Sequence, residues 1–597
     1  MPTIQFKGKN IIWNHHLSVP YHTLDEVEDL HYQPKKGNGN LIIEGDNLIA
    51  LKALLPQYAG KVKCIYIDPP YNTGDDNGKS KGWVYNDNVN SPLIQKWIGK
   101  EVGADDLTKH DKWMCMIVPR LKMLKDLLAE DGLLIIHIDE NEYHRLQSLL
   151  EELFDGANNL GTVIWNKKNP KGDTKKISYQ HESIMVYCKN FELVKGKLKK
   201  RKKNADKILE VGEKIYSKLG KETYPNDILS ISKKYKIDLS IFEDCKIVYD
   251  LELINNEFKD WLKSQDFTGG EKAYKFIDEE GQIFRGVSMA WPNKIKAPDE
   301  YFIPLIHPIT KKECPVPEKG WRNPPDTMKR LEDNKLILFG EDEKTQPERK
   351  YVLKENLFEN ISSIIGFGGS DDAFQKEIGI KFENPKPYKF SKEIIDWFSD
   401  KNSIILDSFA GSGTTMHAVN ELNKEDGGNR KCILVQMTEA SPQEPKKNIC
   451  KDITRERNKL AIEKYGYNTG FKYFRVGKAI DPDKMLDGEL PTYEEFAKYV
   501  YYIGTGQHLV NTDKLDAKSH YVGTHGPKNF YLIYKQDFDK LTRMALTLSI
   551  AEKIIKHSKN KRIVVYAPAC FLDNEYLEEK QIEFVSIPYN LFEKTVE

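Results

Sequence analysis

Four consecutive residues, Asp68-Pro69-Pro70-Tyr71, supply the groups needed to activate an exocyclic amine of a nucleic-acid base. Such an amine is a poor nucleophile because its lone pair is delocalised into the aromatic ring. The carboxylate of Asp68 can accept one N–H and the carbonyl of Pro69, held between ring-locked residues, can accept the other, so the lone pair localises on nitrogen. Tyr71 offers a flat face for a base taken out of its stack. The four residues predict methyl transfer to this amine.

A plainer interpretation is that an apolar strand at 62–67 ends at two prolines, which are ordinary strand breakers. A second motif argues against it. This glycine loop follows the apolar run 403–406, opens a helical pattern, and reads Asp407-Ser408-Phe409-Ala410-Gly411-Ser412-Gly413-Thr414-Thr415. Its glycines let the backbone approach a ligand, and free N–H groups at a helix start suit a carboxylate. Alone, the loop would more often be a tight turn; beside the first motif it predicts a cradle for the methionine carboxylate of S-adenosylmethionine.

Together the two motifs resemble the beta-class amino-DNA methyltransferases, and most of all the modification subunits of type III restriction systems. That family places the catalytic motif first, a target-recognition domain in the middle and the cofactor motif last, as here. The resemblance implies an α/β fold: a Rossmann-like S-adenosylmethionine-dependent methyltransferase core with circularly permuted motif order, an inserted target-recognition domain and a small C-terminal α/β domain. The expected domains are a catalytic half, a target-recognition domain, a cofactor half and an interaction or dimerisation domain, at 1–190, 191–359, 360–475 and 476–597.

The resemblance also implies a set of cofactor-binding residues: Asp46, Lys386, Asp407, Phe409, Gly411, Ser412, Gly413, Thr414 and Glu439. Asp46 matches the acid that contacts the cofactor adenine, and it could equally cap the helix that follows it. Glu439 comes just after a strand-like run and is the candidate for the ribose hydroxyls, although the usual Gly-x-Glu is absent. Lys386 matches the motif that walls the cofactor pocket, with a solvated lysine as the alternative.

The elements around these motifs alternate as a parallel sheet requires. The predicted strands are 62–67, 133–138, 162–165 and 183–188, and the predicted helices are 112–128 and 142–154. Pro119 should kink or divide the first helix, and Asp131-Gly132 should separate it from the next strand. Further on, a helix at 541–555 and a strand at 562–567 are expected in the C-terminal domain.

Several features near the motifs have two interpretations each. The polar loop 72–92 is expected to close over a flipped base, with Trp83 and Tyr85 as stacking or simply packed residues. Trp165 is either near the target base or a core tryptophan. The basic stretch 195–203 and the looser lysines at 167, 168, 171, 175 and 176 would contact phosphates or form a solvated linker.

Composition narrows the class further. The 597 residues carry 90 basic and 90 acidic side chains, and they include neither a long apolar run nor a charged-then-apolar leader, so a cytoplasmic protein without a membrane span is expected. The eight cysteines form no Cys-x-x-Cys pair, which argues against a zinc site and against a disulfide framework. No Pro-Cys dipeptide provides the thiolate of a cytosine-C5 methyltransferase.

The resulting expectation is an adenine-N6 DNA methyltransferase with direct transfer from S-adenosylmethionine, no covalent enzyme intermediate and no metal. Its expected partners are double-stranded DNA, a helicase-nuclease restriction subunit and a second copy of itself in a homodimer. Two further hypotheses stay open: a cytosine-N4 DNA methyltransferase, and a chain that serves mainly as the DNA-specificity subunit of a restriction complex. Methylation of protein glutamine or RNA is disfavoured, because those relatives commonly have Asn in the first position of the tetrad.

Overall fold

A computed structural model describes residues 3–37, 39–72, 109–168, 177–219, 226–245, 250–440, 444–481, 485, 488, 490–507, 509, 515–559 and 561–587. The chain divides into two compact units. The first unit joins Met1–Leu198 to Ser362–Glu597, and the second is Lys199–Ile361. The bounds of the second unit differ by a few residues from those expected for the middle domain, 191–359.

The first unit is built on a ten-stranded sheet. Its strands are β1 Tyr21–Glu26, β2 Leu41–Glu44, β3 Val62–Ile67, β4 Leu128–Ile138, β5 Asn159–Asn166, β6 His181–Cys188, β13 Ile364–Gly366, β14 Ile404–Asp407, β15 Lys431–Gln436 and β16 Lys472–Ile480. They lie side by side in the order β1-β16-β2-β15-β14-β3-β4-β6-β5-β13. The strand predicted at 62–67 is confirmed with the same bounds. Those predicted at 162–165 and 183–188 are confirmed and are longer than expected.

The two sequence motifs end neighbouring strands at the centre of this sheet. β14 pairs in parallel with β3, with Ile405 opposite Cys64, and also with β15, with Asp407 opposite Leu434. These central strands are almost wholly apolar and buried, as expected of parallel strands covered on both faces. Since the carboxyl ends of parallel strands meet at one edge, the segments after β3, β14 and β15 come together there.

Helices cover both faces of the sheet. They are Lys9–Ile12, His15–Ser18, Asn47–Tyr58, Lys109–Leu127, Tyr143–Phe154, Phe191–Val194, Asp372–Glu377, Tyr388–Phe398, Thr414–Asp426 and Glu456–Tyr465, the last preceded by a π-helical turn at Cys450–Arg455. The helix expected at 142–154 is confirmed, with Leu146, Leu149, Leu150 and Leu153 buried as predicted. None of the helices in the described ranges has both the length and the apolar character needed to cross a bilayer.

A second, smaller sheet forms the C-terminal part of the first unit. Its strands β17 Tyr521–His525, β18 Lys528–Leu532, β19 Arg562–Ala567 and β20 Ile582–Ser586 pair in that order. The helices here are Tyr493–Thr505, Phe538–Leu541, Leu548–Ser558 and Asn574–Glu579. The strand expected at 562–567 is confirmed. A shared apolar cluster, in which Tyr21 of β1 stacks on Tyr499 at 4.6 Å, joins this region to the main sheet.

The second unit combines a helical cluster with two small antiparallel sheets. Its strands are β7 Lys199–Arg201, β8 Phe276–Ile277, β9 Ile283–Ser288, β10 Ile337–Leu338, β11 Glu348–Val352 and β12 Phe358–Asn360. The sheets run β10-β11-β9-β8 and β12-β7. The helices are Ala205–Leu219, Asn226–Tyr235, Leu251–Ser264, Gly269–Lys272 and Pro325–Asp333.

Four sequence predictions are wrong in detail. Pro119 does not divide its helix, because the helix Lys109–Leu127 is held by buried side chains on either side of the proline, such as Ile117 and Leu121; a kink at Pro119 stays a prediction. Gly132 does not separate that helix from the next strand; it lies inside β4, where a Cβ atom would approach the Val62 carbonyl oxygen to 2.8 Å and the pairing with β3 shifts register.

The other two errors concern the C-terminal part. The expected helix at 541–555 is two helices, because Leu546 forms a β-bridge to Cys570 instead of extending the helix, which therefore begins at Leu548. The domain boundary placed at 475 falls inside β16, which pairs with β1 as far as Ile480. Pairing with the edge strand thus extends the core beyond the expected limit.

Candidate active site

The catalytic motif leaves the sheet directly after β3. Its second proline is fixed from the neighbouring helix: the indole N–H of Trp113, a wholly buried residue, donates to the Pro70 carbonyl oxygen at 2.7 Å. That carbonyl oxygen therefore already accepts one hydrogen bond within the protein, and the role of the Pro69 carbonyl as an acceptor for a substrate N–H stays a prediction. Asn72 follows in a left-handed conformation and donates to the fully buried Glu142 at 2.5 Å, so both sides of the motif are tied to the core.

Behind the motif lies a buried network of charged and polar groups. The Tyr71 hydroxyl donates to Asp68 and lies 3.2 Å from Glu182, which is on β6. The Lys386 ammonium donates to the Tyr71 hydroxyl at 2.8 Å and to Glu182 at 2.5 Å, and it lies 3.4 Å from Asp68. Lys167 pairs with the second oxygen of Glu182. One lysine thus connects both carboxylates of the site.

Burial and the neighbouring charges shift the pKa of Asp68, Glu182 and Lys386. Burial raises the pKa of Asp68 and the charge of Glu182 raises it further, while Lys386 and the Tyr71 hydroxyl act in the opposite direction. For Glu182, burial would raise the pKa, but Lys386, His137 and Lys167 outweigh it and bring the pKa to about 2. Burial would lower the pKa of Lys386, yet the two carboxylates raise it. Glu182 is ionised and Lys386 is protonated at neutral pH.

The second motif forms a tight loop between β14 and the helix Thr414–Asp426. Asp407 accepts the Phe409 N–H at 3.0 Å and the Thr415 hydroxyl at 2.5 Å, which closes the loop on itself. Gly411 and Gly413 have φ values of 51° and 81°, in the left-handed region that glycine tolerates best. Burial raises the pKa of Asp407 to about 7.

The loop is also fixed from the outside. The buried guanidinium of Arg457 donates to the Ser412 hydroxyl at 2.8 Å and pairs with Asp371. Asp371 in turn accepts the N–H of Tyr388, at the start of the helix that follows Lys386-Pro387. The glycine loop and the segment carrying Lys386 are therefore linked through one ion pair.

One cleft collects most of the residues singled out in the sequence. Its walls include Asp68, Pro70, Lys386, Asp407, Phe409, Gly411, Ser412, Thr414 and Glu439. Pro69, Tyr71 and Gly413 do not line it, although Tyr71 contacts Asp68 and Gly413 caps the helix behind Ser412. Residues 68–70 and residues 386–439, which are distant in the sequence, thus meet at one edge of the sheet.

Asp46 lies outside this cleft. It caps the helix Asn47–Tyr58, accepting the N–H groups of Leu48 and Ile49 at 2.8 and 3.4 Å, with Arg120 at 3.4 Å from its other oxygen. The structure therefore confirms that Asp46 caps this helix. Contact between Asp46 and the cofactor adenine stays a prediction.

Burial decides between the two interpretations of Lys386 and of Trp165. Lys386 is not a solvated lysine, since only 13% of its side chain is exposed. Trp165 is a buried core residue that donates to the Phe367 carbonyl at 2.8 Å and stacks on Phe390. It also lies beneath the Lys386 ammonium, 5.3 Å from its ring centroid, so it supports the site from behind. Trp83, Tyr85 and most of the loop 72–92 lie outside the described residues.

The basic stretch 195–203 includes strand β7, where Lys200 pairs with Glu359 and Arg201 with Asp206. Part of its charge is therefore compensated within the protein. Of the looser lysines, Lys167 pairs with Glu182, and those at 171, 175 and 176 lie outside the described residues.

Several residues of the site were not predicted from the sequence. Glu182 comes one residue before the strand predicted at 183–188, and nothing in its local sequence indicated its partners. Phe382, Asn384 and Gln436 also line the cleft. Gln436 accepts the Gly411 N–H at 2.8 Å and donates to Glu439 at 3.2 Å. Phe382 and Asn384 come just before Lys386-Pro387, but nothing in their spacing indicated the contact.

The fold and this site define a methyltransferase of the Rossmann-like α/β type. Residues 62–463 match the family described as DNA methylase. The chain belongs to this DNA methylase family, and it is a DNA methyltransferase whose methyl donor is S-adenosylmethionine.

Three curated relatives are the Mod subunits of type III restriction-modification enzymes. The EcoP15I subunit of Escherichia coli is 30% identical over 77% of this chain and 69% of its own length. The StyLTI subunit of Salmonella typhimurium is 28% identical over 84% of this chain and 66% of its own length. The EcoPI subunit of Escherichia phage P1 is 28% identical over 71% and 61%. The chain thus spans about two thirds of the length of these relatives.

The residues of the cleft fit S-adenosylmethionine. A Cβ atom at Gly411 would lie 3.2 Å from the Phe382 ring, so the glycine keeps open a narrow space between the loop and that ring. The first turn of Thr414–Asp426 provides N–H groups for a carboxylate. Glu439 has a φ of 57°, lines the cleft and is held by Gln436 and by Lys447 at 3.3 Å; its contact with the ribose hydroxyls stays a prediction.

Proposed function

We propose that the chain is a site-specific DNA methyltransferase that methylates the N6 amine of adenine in duplex DNA. The observation that carries the proposal is that Asp68 and the glycine loop line the same cleft, although they lie more than 300 residues apart in sequence. An amine acceptor and a cradle for the methyl donor in one cleft match direct transfer between two bound reactants. Adenine is favoured because Asp as the first residue of the tetrad resembles the adenine-specific enzymes.

The residues divide the work as follows. Gly411, Ser412 and the start of Thr414–Asp426 hold the methionine end of S-adenosylmethionine, which supplies an electrophilic methyl group when bound. Asp68 and the Pro69 carbonyl accept the two N–H bonds of the base amine and aim its lone pair. The amine nitrogen forms the new bond in line with departure of the sulfur, and the proton leaves to water. No thiolate or covalent enzyme intermediate is needed.

The second unit, Lys199–Ile361, is the proposed target-recognition domain. Strands β9 and β11 carry Arg285 and Arg349, whose guanidinium groups lie 5.4 and 5.3 Å from the ring centroid of Tyr351. Two cations held at one aromatic ring create a local positive charge in a protein of zero net charge. Both arginines are half-buried, and cationic side chains of this kind suit contacts with DNA phosphates.

The names of the relatives support a role as the modification and specificity subunit of a restriction-modification system. The proposal includes a helicase-nuclease partner subunit and a homodimer formed through the C-terminal region. Size-exclusion chromatography with light scattering, on the chain alone and with a type III restriction subunit, tests both assemblies. A chain that stays monomeric and does not bind the restriction subunit would contradict both assemblies.

The function is tested by methylation-aware single-molecule sequencing of genomic DNA from a methylation-free host that expresses this chain alone. Adenine-N6 marks at one short sequence are expected. Cytosine-N4 marks would overturn the choice of base and keep the mechanism. Absence of marks, with S-adenosylmethionine binding shown by calorimetry, would contradict activity of this chain on duplex DNA by itself.

A further inference from the structure

The Tyr71 hydroxyl has a single proton and two carboxylates within reach. Its oxygen contacts Asp68 and lies 3.2 Å from Glu182, and it accepts from the Lys386 ammonium at 2.8 Å. Because the lysine donates to this oxygen, the hydroxyl proton points to a carboxylate. Burial and the charges of Asp68 and Glu182 raise the pKa of Tyr71 well above its ordinary value, so the hydroxyl keeps its proton.

This arrangement conflicts with the role of Asp68 in the proposed function. The hydroxyl occupies Oδ1 of Asp68, so an amine that binds this same oxygen displaces it. When the amine binds, the Tyr71 proton loses this partner, and a buried hydroxyl without an acceptor is strongly unfavourable. A second acceptor within reach of the hydroxyl removes that penalty.

We infer that Glu182 is a positioning residue that accepts the Tyr71 hydroxyl when the target amine occupies Asp68. This role rests on the proposed function and deepens it. The change is a rotation of the O–H bond from one carboxylate to the other; the proton stays on Tyr71, and no covalent bond breaks. Glu182 does not line the cleft, so it acts on the reaction through Tyr71 and Lys386.

The burial and the ion pairs of Glu182 suit it to this role. Only 8% of its side chain is exposed, and its two oxygens are fixed by different cations, Lys167 and Lys386. Its backbone is opposite Trp165 in the pairing of β5 with β6, which places it beside the core of the site. Since its charge is maintained at neutral pH, it presents an ionised acceptor, and charge-assisted hydrogen bonds are the stronger kind.

A double-mutant cycle between Glu182 and Tyr71 tests this role. Glu182→Gln keeps the shape and removes the charge, and Tyr71→Phe keeps the ring and removes the hydroxyl. Single-turnover methyl transfer is measured with radiolabelled S-adenosylmethionine at saturating DNA. In the wild-type background, Glu182→Gln should slow transfer at least about tenfold. The Tyr71→Phe background has no hydroxyl that could donate to Glu182. There, Glu182→Gln should slow transfer less than about threefold.

Glu152→Gln is the matched control, because Glu152 is similarly buried and pairs with Lys9 at 2.6 Å on the helix Tyr143–Phe154, outside the cleft. It should leave the transfer rate unchanged. If Glu182→Gln fails to bind S-adenosylmethionine like the wild type, Glu182→Asp replaces it, since it keeps the charge and shortens the reach.

Equal losses from the Glu182 substitution in both Tyr71 backgrounds, or no loss in either, would overturn the inference and leave the proposed function intact. A wild-type chain that binds S-adenosylmethionine and methylates no DNA would overturn both. The two failures are therefore distinguishable in one set of measurements.

Discussion

In the proposed mechanism Asp68 accepts a hydrogen bond from the amine as an ionised carboxylate, and Lys386 favours that ionised form. Burial raises the pKa of Asp68, and Lys386 is the largest influence that lowers it. In Lys386→Gln the ionised carboxylate loses this stabilisation, so its pKa rises and a smaller fraction is ionised near neutrality. Transfer requires the ionised form, so the acidic limb of the kcat/KM profile should move to higher pH.

Lys9→Gln is the control for this profile, because Lys9 is about as buried as Lys386 and pairs with a single glutamate at 2.6 Å. Its profile should match the wild type. An acidic limb that stays in place in Lys386→Gln would show that the lysine does not set the ionisation of Asp68.

A second residue, Asp407, makes stability depend on pH. Burial raises its pKa to about 7 in the folded state, whereas an aspartate in an unfolded chain titrates near 3.9. Between these values the native state holds a proton that the unfolded state lacks, so the free energy of unfolding falls as pH rises through this window and is level above it.

Asp407→Asn removes this titration and keeps polar groups toward Phe409 and Thr415. Relative to the wild type, its free energy of unfolding should therefore rise as pH increases from 5 to 7, by at most about 1.4 kcal/mol per pH unit. Urea denaturation at each pH measures the difference. A difference that is constant across this range would contradict the raised pKa.

At the scale of elements, the glycine loop and its helix provide an internal comparison. Gly413 and Gly427 flank the same helix, Thr414–Asp426, and both have left-handed φ values, 81° and 67°. A Cβ atom at Gly413 would lie 2.4 Å from the Asn458 amide nitrogen and 3.1 Å from the Thr454 carbonyl oxygen, whereas one at Gly427 meets nothing within 4 Å.

Gly427→Ala should therefore cost only the backbone strain, about 1–2 kcal/mol. Gly413→Ala should cost more and should also weaken S-adenosylmethionine binding at least tenfold, because the loop must move away from Asn458. Thermal denaturation and calorimetry measure the two effects. Equal stability losses with unchanged cofactor affinity would contradict the crowding at Gly413.

The sequence was most informative where one element determines its own structure. A continuous apolar run before two prolines predicted the strand Val62–Ile67. The closely spaced glycines of the second motif predicted a tight loop before a helix. Glu182 and Trp113 could not be assigned, because their partners, Lys386 and the Pro70 carbonyl, come from distant elements. Pro119 and Gly132 misled for the same reason: packing and register from neighbouring elements outweighed local preference.

At the scale of the whole molecule, we propose that the unit Lys199–Ile361 recognises DNA and that the other unit carries out the chemistry. Replacing both Arg285 and Arg349 by Gln should weaken DNA binding and reduce the slope of log affinity against log salt by about two, because roughly one counterion is released per phosphate contact. S-adenosylmethionine binding should stay unchanged. Fluorescence anisotropy over a salt series measures the slope.

Lys214→Gln with Lys263→Gln is the matched control in the same unit. It removes two charges from exposed helical lysines that pair with Glu210 and Asp260. The salt slope should stay that of the wild type. If the slope falls equally in both double variants, the total positive charge of the unit determines DNA binding, and Arg285 and Arg349 have no special role.

The most direct test of the proposed chemistry is the fate of a labelled methyl group. Duplex DNA is incubated with the protein and trideuteromethyl S-adenosylmethionine, digested to nucleosides and examined by mass spectrometry. The wild type should yield N6-trideuteromethyl-deoxyadenosine, and Asp68→Ala should yield none while binding DNA and cofactor with unchanged affinity. Labelled adenine in the Asp68→Ala reaction would contradict the role of Asp68. A variant that binds DNA more weakly but still transfers the methyl group once DNA is bound would contradict it as well.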